Sequence, residues 1–143
     1  MFAYAPDILL AMSERNVEII RGIWEADRRR DWEGVYSVYA PDAVWNDHSG
    51  FWGDWGDARG PDGIREAFRR WHEAFADITF DWEEVAHAGD LVVVTYRVRG
   101  RGRGSGLEID EPFTLVWRLR DDQVVEILAY TDRAEALGAA GMA

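Results

Sequence analysis

The stretch Leu91-Val92-Val93-Val94-Thr95-Tyr96-Arg97-Val98-Arg99 decides the fold class. Val92, Val94, Tyr96 and Val98 alternate with Thr95, Arg97 and Arg99, the period of an extended strand with one apolar face. Downstream, Phe113, Leu115, Trp117 and Leu119 alternate with Thr114, Val116 and Arg118 in the same way. Residues 78–86, 91–103, 107–120 and 124–131 are therefore predicted as four strands. Ala88-Gly89-Asp90, Gly104-Ser105-Gly106 and Asp121-Asp122 supply the turns between them. Strands joined in succession by such short turns form an antiparallel meander.

Upstream of residue 78 the period changes to that of a helix. Val17, Ile20, Trp24 and Asp27 follow one another at helical spacing, widened by Ile19 and Ile23, with Ser13 as the expected N-cap. Arg28-Arg29-Arg30 sit where a helix C-terminus favours cations. Asp31 is expected to cap a second short helix carrying Trp32, Val35, Tyr36, Val38 and Tyr39, closed by Pro41. A short strand over 43–48 comes next. A third helix opens at Gly60-Pro61-Asp62, with Ile64, Phe68, Trp71 and Phe75 on one stripe. Asp132 and Glu135 resemble a capping box before a last helix over 133–137, ended by Gly138. Helices followed by a meander read as α+β, with helices on one side of a sheet. Residues 13–143 form one domain, and 1–12 read as an appendage of uncertain order.

Bulk composition narrows the function. At 143 residues the chain can bury a core without staples, and 48% hydrophobic with 30% charged residues is a globular composition. The absence of cysteine excludes thiol catalysis and disulfides, and fits a cytoplasmic protein. A net charge of -11 repels phosphate backbones and anionic lipid, so neither nucleic acid nor membrane is an expected partner. The arginines at 97, 99, 101 and 103 fall on one strand face and read as a solvated exterior. No apolar run is long enough to span a bilayer, and the N-terminal segment, with Pro6 and Asp7, lacks the basic start of a signal peptide.

The candidate chemistry lies in Ala43-Val44-Trp45-Asn46-Asp47-His48 and the loop Ser49-Gly50-Phe51-Trp52-Gly53-Asp54-Trp55-Gly56 behind it. In a strand, Trp45 and Asp47 share one face while Asn46 and His48 take the other. A carboxylate walled by indoles is costly to ionise, which raises its pKa and suits it to acid–base work near neutrality. Asp47 and His48 are the catalytic candidates. Trp24, Tyr36, Trp45, Phe51, Trp52, Phe68, Trp71, Tyr96, Trp117 and Tyr130 are the candidate pocket lining. Indole N–H groups of Trp24, Trp45 or Trp117 and hydroxyls of Tyr36, Tyr96 or Tyr130 are candidate oxyanion donors. Phe51, Trp52 and Trp55 read as a lid or as a dimer contact. His72, at the edge of the third helix's stripe, reads as a half-buried structural histidine, and His87 as exposed. The three histidines share no ligand spacing, and there is no phosphate loop or dinucleotide fingerprint, so neither metal nor cofactor is expected.

Four segments carry a family resemblance: 39–47, Gly60-Pro61-Asp62-Gly63-Ile64-Arg65-Glu66-Ala67-Phe68, Ala88-Gly89-Asp90-Leu91-Val92-Val93-Val94 and 130–137. With the order helix, helix, short strand, helix, four long strands, the chain resembles the nuclear transport factor 2-like superfamily. Within it, the chain is most similar to SnoaL-like polyketide cyclases and steroid delta-isomerases. The resemblance implies a cone-shaped half-barrel: a curved, mostly antiparallel sheet wrapped around a long N-terminal helix, with an apolar pocket at its open end. It also places Asp47 where the isomerases hold their general base. The positions of the isomerase tyrosine and second aspartate fall near Ile23-Trp24 and Leu115, which supply no O–H donor, so this chain departs from that constellation. The expected function is isomerisation, cyclisation or hydration of an apolar, carbonyl- or ring-bearing small molecule, with Asp47 as general base. The alternative is a non-catalytic ligand-binding or dimerisation domain of the same fold. A homodimer is expected on a further ground: an outer sheet face bearing Leu91, Val93, Val116 and Leu128 needs a cover.

Overall fold

The alternation at 91–99 produces β4 (Leu91–Gly102), which pairs antiparallel with β3 (Phe75–Ala88) on one side and β5 (Glu108–Arg120) on the other. The computed structural model describes residues 5–50 and 57–142. β6 (Gln123–Tyr130) extends the meander from β5, then pairs parallel with β1 (Tyr39–Asp47), which pairs in turn with the short β2 (Ala58–Arg59). The result is one six-stranded sheet in the order β2-β1-β6-β5-β4-β3. Register shifts in β3, between Ala76 and Thr79 and between Trp82 and Glu84, bend and twist the longest strand, as bulges do. The sheet curves without closing.

α1 (Ala5–Arg28), α2 (Trp32–Tyr36) and α3 (Gly60–Ala74) fill the concave side. There Val17, Ile20 and Ile23 of α1 pack on Val92, Val94, Tyr96, Leu115 and Trp117, the inward half of each alternating strand. α3 starts as its sequence requires, with proline in its first turn, and buries Ile64, Ala67 and Trp71. Asp31 caps α2 by accepting from Gly34 N at 3.0 Å.

Three expectations need correction. Ser13 is not an N-cap, because α1 runs unbroken from Ala5. Its side chain is buried, donates to Leu10 O at 3.0 Å and lies 2.7 Å from His87 Nδ1, tying α1 to the end of β3. His87 is accordingly half-buried, not exposed. The second helix ends at Tyr36, and Tyr39 opens β1, where pairing with Val124 wins over a further helical turn.

The outer face of the sheet is occupied as well. α4 (Arg133–Ala139), capped by Asp132, lies on it and buries Val93, Val116 and Tyr130 around Ala136, with Leu91 and Leu128 packed alongside. The chain's own α4 thus covers much of this face. Three of the four arginines of the stripe are matched by acids on the two neighbouring strands. Arg97 meets Asp110 at 3.5 Å, Arg99 meets Asp81 at 3.1 Å, and Arg101 meets Glu108 at 3.0 Å. No described helix is long and apolar enough to cross a membrane.

Candidate functional site

Where α1, α2 and α3 meet the concave sheet, packing leaves a cavity of about 70 Å³. One water needs roughly 10–15 Å³ by this measure, so there is room for a few waters or a small ring. Trp24, Tyr36, Tyr39, Trp45, Phe68, Phe80, Tyr96 and Trp117 supply an aromatic wall, with Ile23, Val35 and Leu115 between them. Trp45 is held edge-on to Phe68 (5.4 Å) and Trp71 (5.2 Å), which fixes the floor.

Two ionisable side chains interrupt this apolar lining: Asp27 in the last turn of α1 and His72 near the end of α3. Burial raises the Asp27 carboxyl above its ordinary value, while the nearby His72 and Arg30 work against that rise. Burial pushes the His72 imidazole below its ordinary value; Asp27 pulls it back up, and Arg30 pushes it further down. The two groups are thus coupled across the cavity. Each is half-buried, and the His72 ring is flanked by Trp32, with centroids 6.2 Å apart.

The cavity also holds donors. Burial, then the Asp27 charge, raises the Tyr36 hydroxyl, with Arg65 opposing. Burial likewise raises Tyr39 and Tyr96; the Trp117 N–H bears on the Tyr96 oxygen in the opposite sense, although its contact falls outside ordinary hydrogen-bond geometry. All three phenols therefore keep their protons near neutrality. Among the described residues the indole N–H groups of Trp45 and Trp117 are buried without a hydrogen-bond acceptor, whereas the Trp24 N–H is committed to Phe80 O at 2.7 Å. An unpaired buried donor carries a desolvation cost of about 1–3 kcal/mol, which an acceptor arriving in the cavity offsets.

Six of the expected lining residues are in this wall: Trp24, Tyr36, Trp45, Phe68, Tyr96 and Trp117. Trp71 stands behind it, buried against Trp45 and Phe68. Tyr130 is on the opposite side of the sheet, where the His48 ring stacks on it at 5.1 Å. Alternation along β1 thus sends His48 away from Trp45, as strand geometry requires. Phe51, Trp52 and Trp55 lie outside the described residues.

Asp47 ends β1, half-buried, and is not among the residues lining the cavity. Its Oδ1 accepts from Ser49 N at 2.9 Å and from the Ser49 hydroxyl, and its own N–H donates to Asp57 Oδ1 at 2.9 Å. That is turn chemistry. Asp27 and His72 are the ionisable residues that sequence reasoning passed over. A signal for Asp27 was present: it is a carboxylate continuing the apolar stripe of α1, three residues beyond Trp24. Among the described residues, no group of three or more His, Cys, Asp or Glu side chains is arranged to hold a metal ion.

Known proteins bear on this geometry. The structure is similar to a nuclear transport factor 2-like protein of unknown function from Burkholderia pseudomallei K96243, with 27% identity, a TM-score of 0.73, and 86% of this chain and 95% of that one covered. A nuclear transport factor 2-like protein from Burkholderia thailandensis E264 is also 27% identical, with a TM-score of 0.75 over 87% of this chain and 96% of that one. TerC, crystallised with polyporic acid, is 25% identical, with a TM-score of 0.71 over 86% and 95%. No curated protein matches the sequence. The SnoaL-like domain model matches residues 20–127, most of the chain and every element from the middle of α1 into β6, and the chain belongs to that SnoaL-like family.

Proposed function

We propose that this chain is a cofactor-independent acid–base enzyme acting on an apolar, carbonyl- or ring-bearing small molecule held in the aromatic cavity. Asp27 and His72 serve as its proton-transferring pair. The observation that carries this reading is the convergence of one carboxylate and one imidazole, from two different helices, on an otherwise apolar cavity. A carboxylate whose ionised form is poorly solvated is a stronger base than an ordinary one, and an imidazole held neutral by burial can take or return a proton. Removal of a proton beside a carbonyl develops charge on the oxygen. The hydroxyls of Tyr36, Tyr39 and Tyr96 and the N–H groups of Trp45 and Trp117 are the donors available to stabilise it. Isomerisation, cyclisation and dehydration all share this first step. Asp47 is the weaker base candidate, since its carboxylate is engaged by Ser49 outside the cavity.

Hydrogen–deuterium exchange tests the step without knowledge of the natural substrate. Small cyclic aryl ketones are incubated with the protein in D2O, and NMR follows loss of the proton beside the carbonyl. The expected result is protein-dependent exchange that falls by about 10²–10⁴-fold in Asp27→Asn, the usual contribution of a positioned base. Asp47→Asn is expected to leave it unchanged. Exchange lost in Asp47→Asn and retained in Asp27→Asn would reverse the assignment. Ketones that bind without exchanging would favour a non-catalytic binding domain.

A further inference from the structure

The aromatic cavity does not end at His72. It adjoins a larger cleft of about 530 Å³, and Tyr36, Phe68 and His72 belong to the walls of both. The cleft differs in chemistry. Trp32 and Phe75 give it flat apolar surfaces, and Arg30, Arg65, Arg69 and Arg103 stand around it. Arg69 is spent on Glu66 and Glu73. Arg30, Arg65 and Arg103 form no ion pair among the described residues: Arg65 lies over the Tyr36 ring at 5.5 Å, and Arg103 donates to the His72 carbonyl oxygen at 3.4 Å. Among the described residues the acids of the cleft form no ion pair with these three arginines. Glu66 is held by Arg69 and Arg70, Asp62 lies in the first turn of α3 where the helix dipole favours a negative charge, and Asp77 is exposed at the start of β3. Elsewhere Arg97, Arg99 and Arg101 of β4 are matched to carboxylates, on a chain whose net charge is -11. Three guanidiniums without an ion pair among the described residues, of which Arg30 lies near enough to Asp27 to lower its carboxyl, concentrate positive charge at the mouth of the apolar cavity of an acidic chain.

We infer that the ligand is an aromatic acid. Its ring enters the cavity, and an anionic group, carboxylate or acidic enol, remains in the cleft facing Arg30 and Arg65. This deepens the function proposed above and rests on its account of the cavity. Planar guanidiniums pair with carboxylate oxygens and lie over aromatic faces, so Arg65 can hold the anion while keeping its place on Tyr36. The acidic group also fixes which end of the ring system reaches Asp27 and His72, so it determines orientation as well as affinity.

The test compares 2-naphthoate with 2-naphthamide, nearly equal in shape and differing in charge, by titration calorimetry at low ionic strength. For the wild-type chain the expected result is binding of both, with the acid about tenfold tighter and the difference shrinking as salt is added. In the Arg30→Gln/Arg65→Gln double variant the preference is expected to vanish while the amide binds as before. Both arginines are exposed, and circular dichroism verifies that the variant is folded. Equal binding of acid and amide by the wild type, or a preference that survives in the double variant, overturns the inference and leaves the cavity reading standing. Binding of neither compound overturns both.

Discussion

Asp27 and His72, carried by the C-terminal ends of α1 and α3, face the same aromatic cavity and oppose each other's burial shifts: the imidazole lowers the carboxyl, and the carboxylate raises the imidazole. Burial nonetheless wins at both, so Asp27 titrates above 3.8 and His72 below 6.5. Both are ordinary residue types in helices. The fold brings them together because α3 packs against β1 while α1 runs into α2 on the other side of the same core.

The raised Asp27 carboxyl implies a cost in stability. Its neutral form is favoured by the fold, so its contribution is full below the unfolded value of 3.8 and is lost as pH rises through the folded value. At pH 7 the native protein bears the whole penalty, and Asp27→Asn is expected to melt at a higher temperature than wild type. That gain shrinks towards pH 4 and disappears below it. His72 has the opposite sign: a lowered folded pKa gives stability that is present above 6.5 and lost as pH falls through the folded value. Thermal unfolding of both proteins from pH 3 to 8 checks the Asn variant. A wild type more stable than Asp27→Asn at pH 7 would mean that the carboxylate is structurally required there.

The sheet was legible because strand period is a local property. Val92, Val94, Tyr96 and Val98 announce an apolar face whatever covers it, and the long strands lie within a residue or two of where the alternation puts them. The exception is the start of β3 at Phe75, which helical spacing assigns to the stripe of the third helix. What covers each face is not local. Val93 and Val116 needed a cover, but the seven-residue α4 that supplies it is too short to advertise an apolar stripe. The site was half legible for the same reason. Trp45, Tyr96 and Trp117 follow from strand alternation, whereas the meeting of Asp27 with His72 depends on how two helices cross a curved sheet. Asp47 drew attention through its aromatic neighbours in sequence, yet the side chain that touches it is Ser49.

Trp45 separates scaffold from site. It is 1% exposed and wedged against Phe68 and Trp71, so Trp45→Ala is expected to cost about 3–5 kcal/mol, the usual loss for a buried tryptophan. The vacated space opens onto the existing cavity, because Trp45 forms part of its wall. Folded Trp45→Ala is therefore expected to bind a larger ring than wild type accepts. Urea unfolding followed by circular dichroism measures the first effect, and calorimetry with an anthracene carboxamide, a larger ring system than 2-naphthamide, measures the second. A loss under about 1.5 kcal/mol would mean that the core collapses around the gap.

Ala136 decides whether α4 alone keeps the outer sheet face from pairing. It is fully buried against Val93 and Val116, and no arginine fits there without lifting the helix. Ala136→Arg is expected to undock α4 and expose Val93, Val116, Leu91 and Leu128 together, an apolar strip on a sheet face of the kind that associates. The aromatic cavity lies on the other side of the sheet, so its ligand binding is expected to change little. Light scattering should then report larger species than the wild type forms at the same concentration, with stronger binding of a hydrophobic dye. If the variant keeps the wild-type mass and dye binding, α4 does not act as the cover, and the face is protected in another way.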